Sequence, residues 1–383
     1  MQQKKIIIAP DSFKESMTAK QAAEAIARGF RQVFSDEIDL EIIPMADGGE
    51  GTTQSLADAL QGSLHHHTVT NPVGEPVKAA YAISGDHSTA IIEAAAASGL
   101  ELIQPHQRNP MLATSYGTGE LIQAALEQGV SKIILGIGGS ATNDGGAGML
   151  EALGAVFYHH NGEKLNRGGG HLIHLNHIDA SQLDARLNNV EIVVACDVDN
   201  PLLGENGASA VYGPQKGASE EMVDQLDQAL SHFHDVQENI TRQSVKDIPG
   251  SGAAGGLGAA FLAFFNAKLE PGINIVLKET HFYERASEAD LVITGEGKID
   301  EQTIYGKTPV GVAKAAKQNN TPVIAICGTL GQNYEKVYDH GIDATFSMMQ
   351  SPCTLKDALE NGPRYLEGLA INIAKILRLQ HTF

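Results

Sequence analysis

Residues 136–148 read GIGGSATNDGGAG, a run that contains six glycines. They follow the short apolar, β-like run 132–135 and precede the helix-like segment 149–153. Glycine tolerates positive φ and lets the backbone approach a ligand closely, so a glycine-rich turn between a strand and a helix can point its N–H groups at an anion. This stretch therefore predicts an α/β fold with an anion-binding turn at the end of a strand.

Polar side chains within this turn extend the same prediction. Gly138 and Gly139 supply bare backbone, and Ser140 and Asn143 can donate hydrogen bonds to an anion. Asp144 would repel an anion if the anion were bound alone. A cation bound together with the anion would remove this conflict, so we expect a divalent ion near the turn.

Composition restricts the partners that the chain can have. The 383 residues carry a formal net charge of −19, with 42% hydrophobic residues, 41 glycines and no tryptophan. This length predicts two domains, and the composition is typical of a folded α/β protein. The negative charge repels nucleic acid and anionic membranes, so we expect small-molecule partners. If these carry phosphates, lysine, Mg²⁺ and backbone dipoles must reverse the potential locally.

Cysteine usage and the apolar runs favour an intracellular enzyme. Cys196, Cys327 and Cys353 are far apart and have no CxxC spacing, which is typical of reduced thiols rather than a disulfide framework. The first residues contain only a short apolar run, and no run reaches the length of a membrane span. We therefore expect a cytoplasmic location.

Strand-like and helix-like segments alternate along the whole chain, which predicts mostly parallel sheets with ligands at the carboxyl ends of the strands. Thr18 and Gln21 form a capping-box pattern before a helix with apolar residues at helical spacing. The middle of the chain is richer in glycine than its two ends. We therefore predict a discontinuous α/β domain of residues 1–70 plus 286–383, with a glycine-rich α/β domain inserted at 71–285.

Acidic residues follow most of the expected strands. A single acid at a loop start usually caps a helix, but parallel topology brings strand ends to one edge, where carboxylates suit Mg²⁺. A further carboxylate could accept a proton from a substrate hydroxyl, and nearby lysines could neutralise a transferring phosphoryl group. The acids are Asp11, Asp47, Glu50, Asp144, Asp197, Glu296 and Asp300, and the lysines are Lys14, Lys216, Lys298 and Lys307.

Several familiar motifs are not supported. Residues 306–308 read GKT, but Glu301 stands where a P-loop requires its first glycine. The glycines of 250–256 approach the dinucleotide-binding fingerprint, but no strand precedes them. The histidine runs 65–67 and 159–160 have no metal-ligand spacing, and we interpret them as solvated strand ends.

Longer phrases resemble the bacterial glycerate kinase family in order from residue 8 to about residue 313, which is most of the chain. Tyr212 departs from the pattern, in which phenylalanine is more usual. The phrases are IAPDSFKES, PMADGGEGT, GIGGSATNDGGAG, CDVDNPLLG, VYGPQKGA, PGSGAAGGLGA, DLVITGEGKIDEQT and GKTPVGVA.

The resemblance implies ATP-dependent, Mg²⁺-assisted phosphorylation of D-glycerate, giving 2-phosphoglycerate or 3-phosphoglycerate. It also implies two α/β domains, one flavodoxin-like and one restriction-endonuclease-like, with the active site in the cleft between them. We expect a monomer or a homodimer. Two other classes remain open: an NAD-dependent hydroxy-acid dehydrogenase with the cofactor on the glycine-rich turns, and a non-catalytic protein that binds a sugar acid.

We assign hypothetical roles to the residues of these phrases. Asp197 and Glu296 would hold Mg²⁺ or orient the nucleophile, and Asp47 would bind the glycerate hydroxyls or act as the base. Lys14 and Lys307 would contact phosphate or the glycerate carboxylate. Asp47, Asp197 and Lys14 are the catalytic candidates, and the substrate-binding and nucleotide-binding candidates are Ser12, Gly138, Gly139, Ser140, Asn143, Asp144, Lys216, Gly252, Gly255 and Lys307.

Overall fold

A computed structural model describes residues 3–49 and 51–379. The chain forms two compact units, and both are built from strands and helices in alternation. The first unit comprises Met1–Asp47, Gln54–Leu60 and Ile273–Phe383, and the second comprises Gly48–Thr53 and Gln61–Gly272. The sheets are mostly parallel, so the predicted fold class is confirmed.

The strands are β1 (Lys4–Pro10), β2 (Ile38–Ile42), β3 (Ser63–Thr70), β4 (Pro76–Ile83), β5 (Thr89–Glu93), β6 (Lys132–Gly136), β7 (Val156–Tyr158), β8 (His177–Asp179), β9 (Glu191–Ala195), β10 (Lys268–Glu270), β11 (Leu291–Ile299), β12 (Val323–Leu330) and β13 (Ala344–Ser347). The α-helices are α1 (Ala19–Phe34), α2 (Thr52–Ala59), α3 (Ala95–Ser98), α4 (Tyr116–Glu127), α5 (Ala147–Ala152), α6 (Ala208–Tyr212), α7 (Glu220–Thr241), α8 (Ala253–Phe265), α9 (Gly272–Glu279), α10 (Phe282–Ser287), α11 (Thr308–Lys317), α12 (Leu355–Glu360) and α13 (Gly362–Leu379).

Local sequence signals explain the first helix. The Thr18 hydroxyl accepts a hydrogen bond from the Gln21 N–H at 3.2 Å, and the Gln21 side chain accepts one from the Thr18 N–H at 2.9 Å, so the predicted capping box is confirmed. The helix buries an apolar face that includes Ile26 and Phe30. At Gly29 a Cβ would lie 2.7 Å from the Ala370 Cβ, so this glycine allows α1 to pack closely against α13.

The first unit contains a five-stranded sheet in the order β13-β12-β11-β1-β2, and every pair is parallel. Its strands therefore all end at the same edge. The sequence analysis placed Glu296 after the end of a strand. That expectation was wrong, because β11 remains paired with β12 as far as Ile299, opposite Leu330. Glu296 therefore lies within a strand, paired with Cys327, rather than in a loop.

The second unit contains a six-stranded sheet in the order β10-β9-β6-β5-β4-β3. The strands β5, β6, β9 and β10 are parallel, while β3 and β4 pair antiparallel at one side. The strands β7 and β8 form a separate hairpin. At the carboxyl edge of the parallel strands lie the residues that follow β6 and β9, which are the turn 137–146 and Asp197.

The boundaries of the two compact units differ from those of the domains predicted from the sequence. The strand β3 was assigned to the first domain, but its register with β4 places it in the sheet of the second unit. Residues 273–285 were assigned to the inserted domain, but they belong to the first unit. The assignment of these domains, and their likeness to a flavodoxin and to a restriction endonuclease, remain predictions.

Two further findings concern the chain as a whole. No helix within residues 3–49 and 51–379 is long and apolar enough to cross a membrane. Cys196, Cys327 and Cys353 are free thiols, as their spacing predicted.

Candidate active site

The glycine-rich turn joins β6 to α5 in the second unit, as the sequence predicted. Gly139, Gly145 and Gly146 have φ angles of +73°, +60° and +78°, which L side chains rarely adopt. At Gly138 a Cβ would have no neighbour within 4 Å among the described residues, so the backbone there is open to a ligand. The glycines are therefore required partly for the path of the chain and partly for access to its backbone.

Gly138 and Gly139 line a cavity of about 520 Å³ in the second unit. Its walls include the small or apolar residues Ala95 and Leu100 and the carboxylate of Glu93. No lysine or arginine occurs among the described residues that line it. Apolar walls with a few polar groups are typical of a pocket for a planar, partly apolar ligand, and phosphates placed here would depend on backbone N–H groups.

Ser140 and Lys216 lie deeper than the sequence suggested. The Lys216 side chain is buried, and its Nζ donates to the Ser140 Oγ at 3.1 Å and to the Thr142 carbonyl oxygen at 2.7 Å. Burial lowers the pKa of this amine to about 7, although Asp144 favours the charged form. Lys216 therefore contacts the inner side of the turn.

Asp144 is fully buried within the turn. Its carboxylate accepts hydrogen bonds from the Ser115 N–H and Oγ–H, and from the N–H groups of Gly146 and Gly148, at 2.8 to 3.2 Å. Burial raises its pKa, and these hydrogen bonds oppose the rise. Asp144 therefore holds the turn and the start of α5 together, and these contacts give it a structural role.

Asn143 also points inward. Its side-chain amide donates to the Ser209 Oγ at 2.9 Å, while its Oδ1 and the Thr142 Oγ1 are buried without a hydrogen-bond partner among the described residues. Such unpaired polar atoms are costly in a dry interior. The buried polar atoms of the turn therefore include two unpaired ones besides the two acceptors that Lys216 contacts.

Gly252 and Gly255 are positions of close packing. A Cβ at Gly255 would lie 2.1 Å from the Thr142 carbonyl oxygen, and the Gly255 carbonyl oxygen accepts a hydrogen bond from the Gly145 N–H at 2.9 Å. A Cβ at Gly252 would lie 2.1 Å from the Pro201 carbonyl oxygen. These contacts explain the glycines without a bound nucleotide, so binding by these two residues remains a prediction.

Asp197 follows β9 in the second unit and is exposed. Its Oδ1 accepts a hydrogen bond from the Gly272 N–H at 3.0 Å. Its Oδ2 lies 3.4 Å from the place that a Cβ on Gly48 would occupy. The position at a parallel strand end agrees with the sequence-based expectation.

Glu296 lies in the first unit, beside Lys307 and Thr303. Its Oε2 is 3.5 Å from the Lys307 Nζ, and its Oε1 accepts a hydrogen bond from the Thr303 Oγ1 at 2.8 Å. Burial raises the pKa of Glu296 to about 7, which Lys307 and Thr303 oppose and Asp11 reinforces. The structure thus brings together Glu296 and Lys307, two of the predicted residues.

Asp11 was one of the candidate acids, but it received no role in the sequence-based assignment. The Thr308 hydroxyl donates to its Oδ2 at 2.5 Å, and the Ser12 N–H donates to its Oδ1 at 2.6 Å. Burial, and then the charge of Asp47, raises the pKa of Asp11 to about 6. Its place directly after β1 was the available signal, since the other candidate acids were chosen for that reason.

Asp47 also lies in the first unit and acts electrostatically on Asp11. Lys14 is exposed, and its backbone N lies 3.7 Å from the place that a Cβ on Gly297 would occupy, next to Glu296. The first unit therefore carries a group of acids with flanking lysines at the carboxyl edge of its sheet. Glu50 lies outside the described residues.

The histidine run 65–67 was interpreted as a solvated strand end, but it lies within β3. The His65 ring stacks on Tyr81 at 5.5 Å between centroids. Another group, His234, Asp235 and Glu238, has its ligand atoms close enough for a metal ion. However, the His234 Nε2 accepts a hydrogen bond from the Val245 N–H, so its Nδ1 carries the proton and cannot bind a metal.

Comparison with known proteins identifies the family of this chain. Residues 6–378 match the glycerate kinase family. The chain belongs to this family. It is 54% identical to the glycerate kinase of Bacillus subtilis over 99% of both chains, and 52% identical to the glycerate 2-kinase of Escherichia coli K12 over 98% of both. The crystal structure of a candidate glycerate kinase 2 from Salmonella typhimurium LT2 matches with a TM-score of 0.93 and 50% identity over 100% of both chains.

Family membership confirms two predictions. The resemblance drawn from the quoted phrases was correct, and the chain is an enzyme of the glycerate kinase family. The individual site residues remain predictions, and the contacts described above show where each one lies.

Proposed function

We propose that this protein transfers the γ-phosphoryl group of ATP to the 2-hydroxyl of D-glycerate with the help of Mg²⁺. The observation that carries the proposal is the open glycine-rich turn, with its adjoining cavity of about 520 Å³, in a member of the glycerate kinase family. The relative from Escherichia coli is named glycerate 2-kinase, which favours the 2-hydroxyl over the 3-hydroxyl.

The second unit would bind the nucleotide. The cavity beside Leu100 and Ala95 has apolar walls that suit a purine base, and the Glu93 carboxylate suits ribose hydroxyls. The open backbone at Gly138, together with the adjacent Gly139 at the cavity wall, would bind phosphate oxygens through N–H groups. This pairing of an apolar pocket with bare peptide nitrogens favours a nucleoside triphosphate over a simple phosphate ion.

The acids of the first unit fit a divalent cation. Burial raises the pKa of Glu296 to about 7 and that of Asp11 to about 6, so these two carboxyl groups hold their protons more tightly than usual when no cation is bound. A nearby Mg²⁺ would favour their ionised form, and oxygen ligands are those that it prefers. Glu296 and Asp11 would hold the ion. Asp197, which follows β9 in the second unit, remains the other sequence-based candidate for a metal ligand. Bound Mg²⁺ would supply positive charge to the phosphoryl oxygens.

Asp47, Lys14 and Lys307 would handle the acceptor. Lys307 lies 3.5 Å from Glu296 and would bind the glycerate carboxylate or a phosphate oxygen, and Lys14 would do the same from the loop after β1. Asp47 would accept the proton of the 2-hydroxyl. The hydroxyl oxygen then bonds to the γ-phosphorus, the bond to the β–γ bridging oxygen breaks, and ADP leaves with those electrons.

The proposal includes the setting of the reaction. D-Glycerate and ATP would be the partners, with no nucleic acid and no membrane, in the cytoplasm and as a monomer or a homodimer. The net charge of −19 supports small-molecule partners, because it disfavours polyanionic ones.

An ADP-release assay with D-glycerate, ATP and Mg²⁺ tests the proposal, with NADH absorbance followed in a parallel reaction. We expect ADP release that needs both glycerate and Mg²⁺, and no nicotinamide signal. NAD reduction by a hydroxy acid would identify a dehydrogenase, and glycerate binding without ADP would identify a binding protein.

Two variants test the assigned roles. Asp197→Asn should lower kcat by orders of magnitude with folding unchanged, because a metal ligand or orienting carboxylate is lost. Asp224→Asn, an exposed acid on α7, is the matched control and should keep full activity. Near-normal activity of Asp197→Asn would remove this residue from the scheme.

A further inference from the structure

The buried amine of Lys216 is a feature that phosphate contact does not explain. Its side chain is about 2% exposed, and its Nζ reaches the turn from the inner side through the Ser140 Oγ and the Thr142 carbonyl oxygen. Lysine is rarely fully buried, because removing an ammonium group from water is costly. The contacts of the Lys216 amine must therefore offset the cost of removing it from water.

We propose that Lys216 is a positioning residue, which holds the turn 138–143 in the conformation that binds nucleotide phosphates. This inference rests on the proposed function, and it assigns to Lys216 an indirect role instead of contact with the ligand.

The contacts support this role in two ways. The two hydrogen bonds fix Ser140 and Thr142, which lie within four residues of the open Gly138. The amine also satisfies two acceptors of the turn, the Ser140 Oγ and the Thr142 carbonyl oxygen, and a buried acceptor is costly to leave unpaired. Without the amine, both acceptors would lose this donor.

The protonation state of Lys216 should also respond to nucleotide binding. Asp144 is the charged side chain whose field reaches Lys216, and it favours the ammonium form, but burial is the larger effect and lowers the pKa to about 7. An anion bound at Gly138 and Gly139 would favour the ammonium form further. Nucleotide binding at pH 8 should therefore be accompanied by proton uptake at Lys216.

Steady-state kinetics of Lys216→Met and Lys216→Arg test the positioning role. Hydrogen bonds to charged groups contribute enough that Lys216→Met should raise the KM for ATP about tenfold or more, with the KM for D-glycerate changed less than about twofold. Lys216→Arg should recover part of the loss. Lys78→Met, an exposed lysine of β4, is the control from the same unit and should behave as wild type.

An unchanged KM for ATP in Lys216→Met would overturn the inference. A loss shared equally by both substrates, together with a lower melting temperature, would also overturn it, because that is the signature of a merely structural lysine.

Calorimetry of ADP binding at pH 8, in two buffers with different ionisation enthalpies, provides the second test. The nucleotide phosphates are already ionised there, so we expect proton uptake by the wild type and a smaller uptake by Lys216→Arg. The same titrations give the Kd of ADP, which should be weaker in Lys216→Arg than in the wild type, and an equal Kd in both proteins would contradict the inference. This measurement needs no turnover, so it separates a failure of the Lys216 role from a failure of the proposed reaction, and it remains decisive if Lys216→Met does not fold.

Discussion

Asp144→Asn tests whether the acid in the glycine-rich turn is structural. The carboxylate accepts three hydrogen bonds at Oδ2, from the Ser115 N–H, the Ser115 Oγ–H and the Gly148 N–H, and one at Oδ1, from the Gly146 N–H. An asparagine can keep its oxygen at the Oδ2 position, but its NH₂ group then faces the Gly146 N–H. One buried donor loses its acceptor, which costs about 1–3 kcal/mol.

The substitution also removes the negative charge that favours the ammonium form of Lys216. Lys216 can respond by losing its proton, so this second cost is smaller than that of an isolated buried charge, at about 1–2 kcal/mol. The two effects together predict a loss of about 2–5 kcal/mol, which for a chain of 383 residues corresponds to a fall in melting temperature of roughly 2–6 °C.

Thermal unfolding followed by circular dichroism measures this loss, with Asp224→Asn as a control of the same chemistry at an exposed position. The control should stay within about 0.5 kcal/mol of wild type. A loss for Asp144→Asn no larger than that of the control would refute the structural role. If activity vanished while the melting temperature stayed unchanged, Asp144 would instead act on the ligand.

Two further substitutions probe the neighbouring contacts. Glu296 has a pKa raised from 4.5 to about 7, so the folded protein binds this proton more tightly than the unfolded chain, and its contribution to stability is lost as pH rises from 4.5 to 7. Glu296→Gln should therefore be more stable than wild type at pH 8, by up to about 3 kcal/mol in the free energy of unfolding, and this difference should vanish near pH 4.5. Urea unfolding without Mg²⁺ measures it, and a difference that does not depend on pH would contradict this expectation. Gly255→Ala combines a φ of +70° with a Cβ 2.1 Å from the Thr142 carbonyl oxygen, and should cost about 2–4 kcal/mol. Gly204→Ala, at +83° with no described residue within 4 Å of its added Cβ, isolates the backbone cost of about 1 kcal/mol, and equal losses for the two would rule out the close contact.

Local features of the fold could be predicted from the sequence because short-range chemistry determines them. The capping box at Thr18 requires only two side chains three residues apart, and the turn after β6 requires only glycines between an apolar strand and a helix. The antiparallel pairing of β3 with β4 also has a local signal, because the turn 71–75 between them contains a glycine, as is typical of a hairpin. The sequence-based boundary at residue 70 followed the change in glycine content instead, and it separates the two strands of this hairpin.

The burial of the candidate side chains could not be predicted from the sequence. Lys216 and Asp144 have residue types that suit phosphate and metal binding, but both side chains are buried by segments distant in the chain. Glu296 was expected in a loop because the apolar run ends at Thr294, while pairing with β12 extends the strand to Ile299. Residue type thus predicted the chemistry of the site, and long-range packing decided which atoms face inward.

Phosphorus NMR of the reaction product tests the central claim most directly. After incubation of the enzyme with ATP, Mg²⁺ and D-glycerate, phosphate on the 2-hydroxyl couples to one carbon-bound proton, whereas phosphate on the 3-hydroxyl couples to two. We predict a new ester signal split into a doublet, together with the signals of ADP. A triplet would place the phosphate on the 3-hydroxyl, and no new ester signal would contradict phosphoryl transfer to glycerate altogether.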